Sequence, residues 1–219
     1  MIVCHSLAYR EVNFSYIDNK YIYETPITVQ FHKGNINVVS GFNGCGKSTL
    51  LNLALGVWDN FIGDIFIDDK NVKSLDNDNL RKLIIFGFQE PVIFNDTVLN
   101  NITIDRVLDK KHVEELADQI LFLDDINKMP QKFDTIIDRN SLSQGQIQKV
   151  NICRILFSGK SIMIFDEPTS NLDFKSVDAY INLVRKIKDK YLIIIISHDK
   201  KIISEADYNF NIESMKKTD

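Results

Sequence analysis

The sequence predicts an α/β domain with a mostly parallel sheet core, preceded by a small antiparallel β section. Three observations carry that expectation. Short, largely apolar β-forming runs at 36–39, 161–165 and 192–196 read as strands buried on both faces. Segments with helical apolar spacing separate them, which is the alternation that builds a parallel sheet. Before residue 40 the pattern has period two instead, the mark of half-buried strands in an antiparallel sheet.

Taken in order, Val12–Tyr16 and Ile27–Phe31 alternate apolar and polar side chains and read as strands joined by polar turns. Ile36–Val39 is a buried strand running directly into a glycine-rich turn, and Lys47–Leu55 follows as a helix closed by Gly56. Leu83–Phe86 is a further strand. From Asn100 to Lys128 the chain is polar with Val113, Leu116, Ile120 and Leu123 at helical spacing, so a helical subdomain inserted at approximately 92–158 is the simplest reading. Ser143 has the side chain and position of an N-cap for a helix reaching Phe157, with Gly159 placed to end it. Ser161–Phe165 returns as a strand. Val177, Ile181, Val184 and Ile187 then share one helical face ahead of the strongly β-forming Leu192–Ile196. No repeat, low-complexity segment or linker divides residues 1–219, which read as one domain.

Composition narrows the function classes. A net charge of −4, with no basic block beyond Lys216–Lys217, makes nucleic acid a poor partner. The longest apolar runs fall far below the roughly 20 residues of a spanning helix, so any link to a membrane has to come through another protein. The start, Met1-Ile-Val-Cys-His5, lacks a basic region followed by an apolar stretch, and three cysteines without metal-like spacing read as reduced thiols; both point to a cytoplasmic location.

The chemistry begins at Gly41-Phe42-Asn43-Gly44-Cys45-Gly46-Lys47-Ser48-Thr49, which fits GxxxxGK[ST] between a predicted strand and a predicted helix. The glycines let backbone N–H groups turn toward phosphate oxygens, and the helix offers its positive end to the same anion. Lys47 would neutralise the β and γ phosphates, and Ser48 would ligate Mg²⁺. The helix N-terminus should lower the pKa of the Cys45 thiol, which is either a small side chain that merely fits the loop or one with a redox role. Ile162–Phe165 ends in Asp166 and Glu167, so the strand's C-terminal end delivers two carboxylates to the crevice where open α/β sheets bind ligands. Asp166 suits Mg²⁺, and Glu167 suits orienting and deprotonating a water. His198, after another buried run, could reach the γ-phosphate or that water.

Together these residues resemble the ABC (ATP-binding cassette) ATPases over nearly the whole chain, because the family's other motifs occur in the same order. Leu142-Ser143-Gln144-Gly145-Gln146 resembles the LSGGQ signature, with Gln144 in place of the first glycine. Asp166-Glu167-Pro168-Thr169-Ser170-Asn171-Leu172-Asp173 resembles the joined Walker B and D-loop. Gln89 sits where the Q-loop glutamine is expected, as a catalytic and metal-facing residue, and His198 resembles the switch histidine. Tyr16 resembles the aromatic residue that stacks on adenine; the alternative is a strand-core tyrosine.

The resemblance implies a P-loop NTPase fold of the ABC type, ATP and Mg²⁺ as ligands, and a face-to-face pair with a second such domain. In that pair Ser143, Gly145 and Gln146 would serve the partner's nucleotide. Phe88-Gln89-Glu90-Pro91, Phe94, Thr97 and Asn101-Ile102, together with Met129–Thr135, are similar to exporters. The resemblance thus implies an ATPase subunit on the cytoplasmic face, driving an integral membrane partner that exports a peptide or lipid-like cargo. With Met1 at the start, the expectation is a free-standing subunit rather than the excised half of a fused exporter. A mechanotransmission ATPase acting on envelope proteins is the alternative, and a soluble ATPase working on nucleic acid is a third.

Overall fold

The computed structural model describes residues 3–17, 20–104 and 109–215; the Lys216–Lys217 pair lies outside them. Along the chain run β1 (Ser6–Asn13), β2 (Ile27–His32), β3 (Ile36–Ser40), α1 (Lys47–Leu53), β4 (Ile62–Ile67), β5 (Lys70–Asn71), α2 (Asn77–Leu83) and β6 (Ile84–Gly87). Then come β7 (Asp96–Thr97), α3 (Val98–Thr103), α4 (Lys110–Gln119), α5 (Leu123–Asn127), β8 (Ile136–Ile137) and α6 (Gln144–Phe157). The chain closes with β9 (Ile162–Asp166), α7 (Phe174–Ile187), β10 (Leu192–Ile196), α8 (Lys200–Ser204) and β11 (Tyr208–Asn211). Two compact units divide them: Met1–Phe86 with Lys160–Asp166 and Ile187–Asp219, and Gly87–Gly159 with Glu167–Lys186.

In the first unit a five-stranded sheet runs in the order β11-β3-β10-β9-β6, with β11 and β3, β3 and β10, and β10 and β9 all parallel. Every residue of β3, β9 and β10 is buried, which explains why these strands read as apolar runs rather than alternations. Their register matters for the site. Ile196 pairs with both Val39 and Asp166, so the loop after Ser40, the Asp166 carboxylate and the segment after Ile196 all leave one edge of the sheet. The Ser197 N–H donating to Val39 O (3.2 Å) continues the alignment past the last strand residue. A second sheet, β2-β1-β4-β5, is antiparallel, and β2 buries Ile27, Val29 and Phe31 while exposing Thr28, Gln30 and His32. The buried faces of the two sheets and Leu50, Leu51 and Leu53 of α1 share one apolar core.

The second unit is mostly helical. α6 packs with α3 and α4 and is buried along most of its length, from Ile147 to Leu156. A capping box fixes its start: Ser143 Oγ accepts from Gln146 N–H (3.2 Å) while Gln146 Oε1 accepts from Ser143 N–H (3.0 Å). Residues Glu167–Lys186 also belong to this unit, a share that lies beyond the expected 92–158 insertion.

Three of the boundaries that differ from the sequence expectation have a local reason. The strand expected at Val12–Tyr16 ends at Asn13, because the Asn13 side chain accepts from Phe14 N–H (2.9 Å) and donates to Tyr23 O (2.8 Å), which turns the chain out of the ladder. The helix after the glycine-rich loop stops at Leu53 rather than Leu55. Ala54, Leu55 and Gly56 instead bond three residues back, the tightening typical of a last turn. Among the described residues the helical stretch across 100–128 holds three helices. Leu121 takes a left-handed φ of 56°, and Phe122 N–H reaches back to Ala117 O (2.8 Å), a closure that ends α4. Phe122 therefore takes the buried place expected for Leu123. Strands β4, β5 and β11 and helices α2 and α8 lay in stretches to which the sequence pattern assigned no element.

Candidate functional site

The glycine-rich loop leaves β3 at Ser40 and enters α1 at Lys47. Gly41, Gly44 and Gly46 all adopt positive φ, at 146°, 84° and 95°. A Cβ on Gly46 would stand 2.8 Å from both Ile22 Cγ2 and Tyr23 Cε1, whereas one on Gly44 would meet nothing within 4 Å. The inner side of the loop is thus supported by packing, and the Gly44 side is open backbone of the kind that cradles an anion. Asn43 is exposed on that stretch. Lys47 is buried and its Nζ donates to Gly41 O (2.8 Å) and Phe42 O (2.9 Å). Tyr23 Oη donates to Gly46 O (2.8 Å), and Phe42 N–H donates to the Glu213 carboxylate. Burial pushes the Tyr23 phenol well above its ordinary pKa, so it remains a donor across the working pH range.

The lowered pKa expected for the Cys45 thiol is overturned. Burial raises it, outweighing the nearby Lys47 charge that lowers it. The half-buried thiol lies in a shallow pocket lined by Ile22, Tyr23, Ile212 and Glu213, and loss of water costs the thiolate more than the helix end returns.

Ser48 Oγ donates to Asp166 Oδ2 at 2.6 Å, which joins the first turn of α1 to the end of β9. A hydroxyl and a carboxylate at one point are hard oxygen donors. Among the described residues no cluster of His, Cys, Asp and Glu could hold a metal alone. That combination fits magnesium, which is usually held by one or two protein oxygens together with substrate phosphates. His198 is exposed just beyond β10, at the same sheet edge. Tyr16 is 60% exposed and its hydroxyl is 2.9 Å from Thr49 Oγ1 at the end of the loop. Tyr16, Gly41–Thr49, Asp166 and His198 thus gather in the first unit.

The remaining candidates belong to the second unit. Gln89 is exposed in irregular chain just after β6. Ser143 and Gln146 form the capping box, and Gly145 lies so close to the following loop that a Cβ would stand 2.9 Å from Asn171 O. Glu167, next in the chain after Asp166, is buried and holds a left-handed φ of 47°. That conformation costs a non-glycine residue about 1–2 kcal/mol, and such outliers cluster where function needs them. Sequence reasoning missed two supports of the loop, Tyr23 and Glu213, neither of which carries a local signal.

The family profile described as ABC transporter matches residues 25–170, two thirds of the chain. This chain belongs to the ABC transporter family. Similar ABC proteins include the ATP-dependent lipid A-core flippase of Coxiella burnetii, 33% identical over 212 residues that cover 95% of this chain and 36% of the relative. A putative multidrug export ATP-binding/permease protein of Staphylococcus aureus is 34% identical over 206 residues, or 93% and 36% of the two chains. A solved structure of a bacterial Atm1-family ABC exporter with ATP bound superposes with a TM-score of 0.89 at 27% identity, over 96% of this chain and 37% of the other. The ABC chain described here therefore spans about a third of the length of these relatives. Gln144 is exposed at the first position of α6. No helix among the described residues is long and apolar enough to cross a membrane.

Proposed function

We propose that this chain is the ATP-hydrolysing cassette of an exporter: it binds Mg-ATP, pairs with a second cassette and drives an integral membrane partner from the cytoplasmic face. The observation that carries the reading is the meeting of Lys47, Ser48 and Asp166 at one sheet edge, beside open glycine backbone that suits a polyphosphate. Lys47 would move from the loop carbonyls to the β and γ phosphates. Ser48 and Asp166 would hold the metal, with Gln89 facing it, and the metal would neutralise charge that builds on the transferred phosphoryl group. Glu167 would orient and deprotonate the attacking water, and His198 would steady the γ-phosphate. Tyr16 would stack on adenine. Ser143, Gly145 and Gln146 of one cassette would complete the nucleotide site of the other, with the N-terminus of α6 supplying partial positive charge. The names of the lipid A-core flippase and multidrug relatives favour export, of a lipid-like or similarly apolar cargo.

The test separates binding from chemistry. Glu167→Gln should keep nucleotide affinity and lose at least about a hundredfold in turnover, the usual size of a general-base contribution. With Mg-ATP it should elute as a stable dimer in size-exclusion chromatography. Lys47→Ala should lose affinity itself. Normal ATP turnover by either variant would remove the assignment.

A further inference from the structure

Trp58 follows the exit from α1, where Gly56 takes a left-handed φ of 68° and the chain turns back toward the N-terminal β section. The turn sets the indole against two other rings. Phe14 and Trp58 lie 5.3 Å apart between centroids at 42°, Tyr16 and Trp58 5.5 Å apart at 85°, and Phe14 and Tyr16 4.8 Å apart at 84°. Both contacts to Tyr16 are edge-to-face, the arrangement that ring quadrupoles favour. Phe14 belongs to the buried core and Trp58 packs half-buried against it, so two anchored rings hold a third that faces solvent. The Tyr16 hydroxyl is held in addition at Thr49 Oγ1. An exposed aromatic side chain ordinarily loses rotamer freedom when a ligand stacks on it; one already fixed at both ring and hydroxyl has little left to lose.

Resting on the reading of this chain as an ATP cassette, we propose that Trp58 is a positioning residue for the purine base. It holds Tyr16 in place beside Thr49, and so separates affinity for a nucleotide from affinity for a bare phosphate chain. The phosphate loop and the base platform are then linked through α1, whose start binds phosphate and whose exit carries the residue that fixes the platform.

The experiment is calorimetric titration of the wild-type chain, Trp58→Ala and Trp58→Phe with Mg-ATP and, separately, with Mg-tripolyphosphate. The expected result is a two- to tenfold weaker ATP affinity in Trp58→Ala, about the worth of one or two aromatic contacts. Tripolyphosphate affinity should be unchanged, and Trp58→Phe should restore most of the ATP affinity. Unchanged ATP affinity in Trp58→Ala would overturn the proposal. So would a parallel loss for both ligands, which would mean that Trp58 serves only the core. A wild-type chain that binds neither ligand would instead overturn the ATP reading on which the proposal rests.

Discussion

Two glycines of the same loop should respond very differently to one methyl group. Gly44 and Gly46 have similar positive φ, 84° and 95°, so alanine at either pays the left-handed penalty of about 1–2 kcal/mol. Their surroundings differ. At Gly44 a Cβ meets nothing within 4 Å, and the backbone penalty is the whole cost. At Gly46 the new atom would sit 2.8 Å from the Tyr23 ring and 3.1 Å from its hydroxyl, so the ring has to move. Moving it breaks the 2.8 Å bond from Tyr23 Oη to Gly46 O and strands a hydroxyl on a side chain that is 5% exposed. An unsatisfied buried hydroxyl costs about 1–3 kcal/mol, which brings Gly46→Ala to about 2–5 kcal/mol against about 1–2 for Gly44→Ala. Urea unfolding of the ligand-free chain, followed by far-UV circular dichroism, measures both without involving nucleotide. Equal losses in the two variants would refute the argument, because they would show that Tyr23 does not support the loop. Tyr23→Phe is the internal control: it removes the hydroxyl but keeps the ring, so Gly46→Ala on that background should cost less.

The capping box makes a similar contrast. Ser143→Ala should destabilise the chain by about 1 kcal/mol and Ser143→Gly by only a few tenths, read as shifts in the urea midpoint; equal shifts would mean that the Ser143–Gln146 exchange does not cap α6. At Cys45 the raised pKa means that the thiolate fraction at neutral pH is smaller than that of a free thiol. The iodoacetamide rate at Cys45, followed by mass spectrometry, should therefore climb with a midpoint above the roughly 8.5 of a free cysteine. A midpoint below that value would restore the activated thiol that the helix end alone predicts.

The parts of the site that were legible in the sequence are those whose chemistry is local. Gly46-Lys47-Ser48 announces itself because glycine, ammonium and hydroxyl have to be neighbours to wrap one phosphate chain. Ser143 and Gln146 are legible because a capping box spans a single turn. The parallel strands β3, β9 and β10 were legible because burial on both faces leaves them mostly apolar, whereas the partly exposed β11 was not. Illegible features depend on which of two local rules wins. Asn13 could continue a strand or turn it, and its side chain found Tyr23 across the turn. Leu121 breaks a periodic helix from a position where glycine is usual. Cys45 has a helix end that lowers its pKa and a pocket that raises it, and only the packed structure says that the pocket prevails.

The supports of the loop were illegible for a further reason, which bears on how the site works. Tyr23 precedes the loop in sequence, and Glu213 follows β11, near the far end of the described chain; the two converge on a loop with which neither shares a motif. Lys47 holds the Gly41 and Phe42 carbonyls while Glu213 takes the Phe42 N–H, so the Phe42 residue is gripped at both its donor and its acceptor. On the proposed reading Lys47 would release the carbonyls on turning to a phosphate, which would leave Glu213 and Tyr23 to hold the loop's shape. The lysine would then change partners without the cradle collapsing, because the fold supplies a second set of bonds to the loop. Affinity for the phosphate chain is on this argument a property of the whole first unit. Its measure is whether Glu213→Gln, which keeps an acceptor but removes the charge, binds Mg-ATP more tightly than Glu213→Ala.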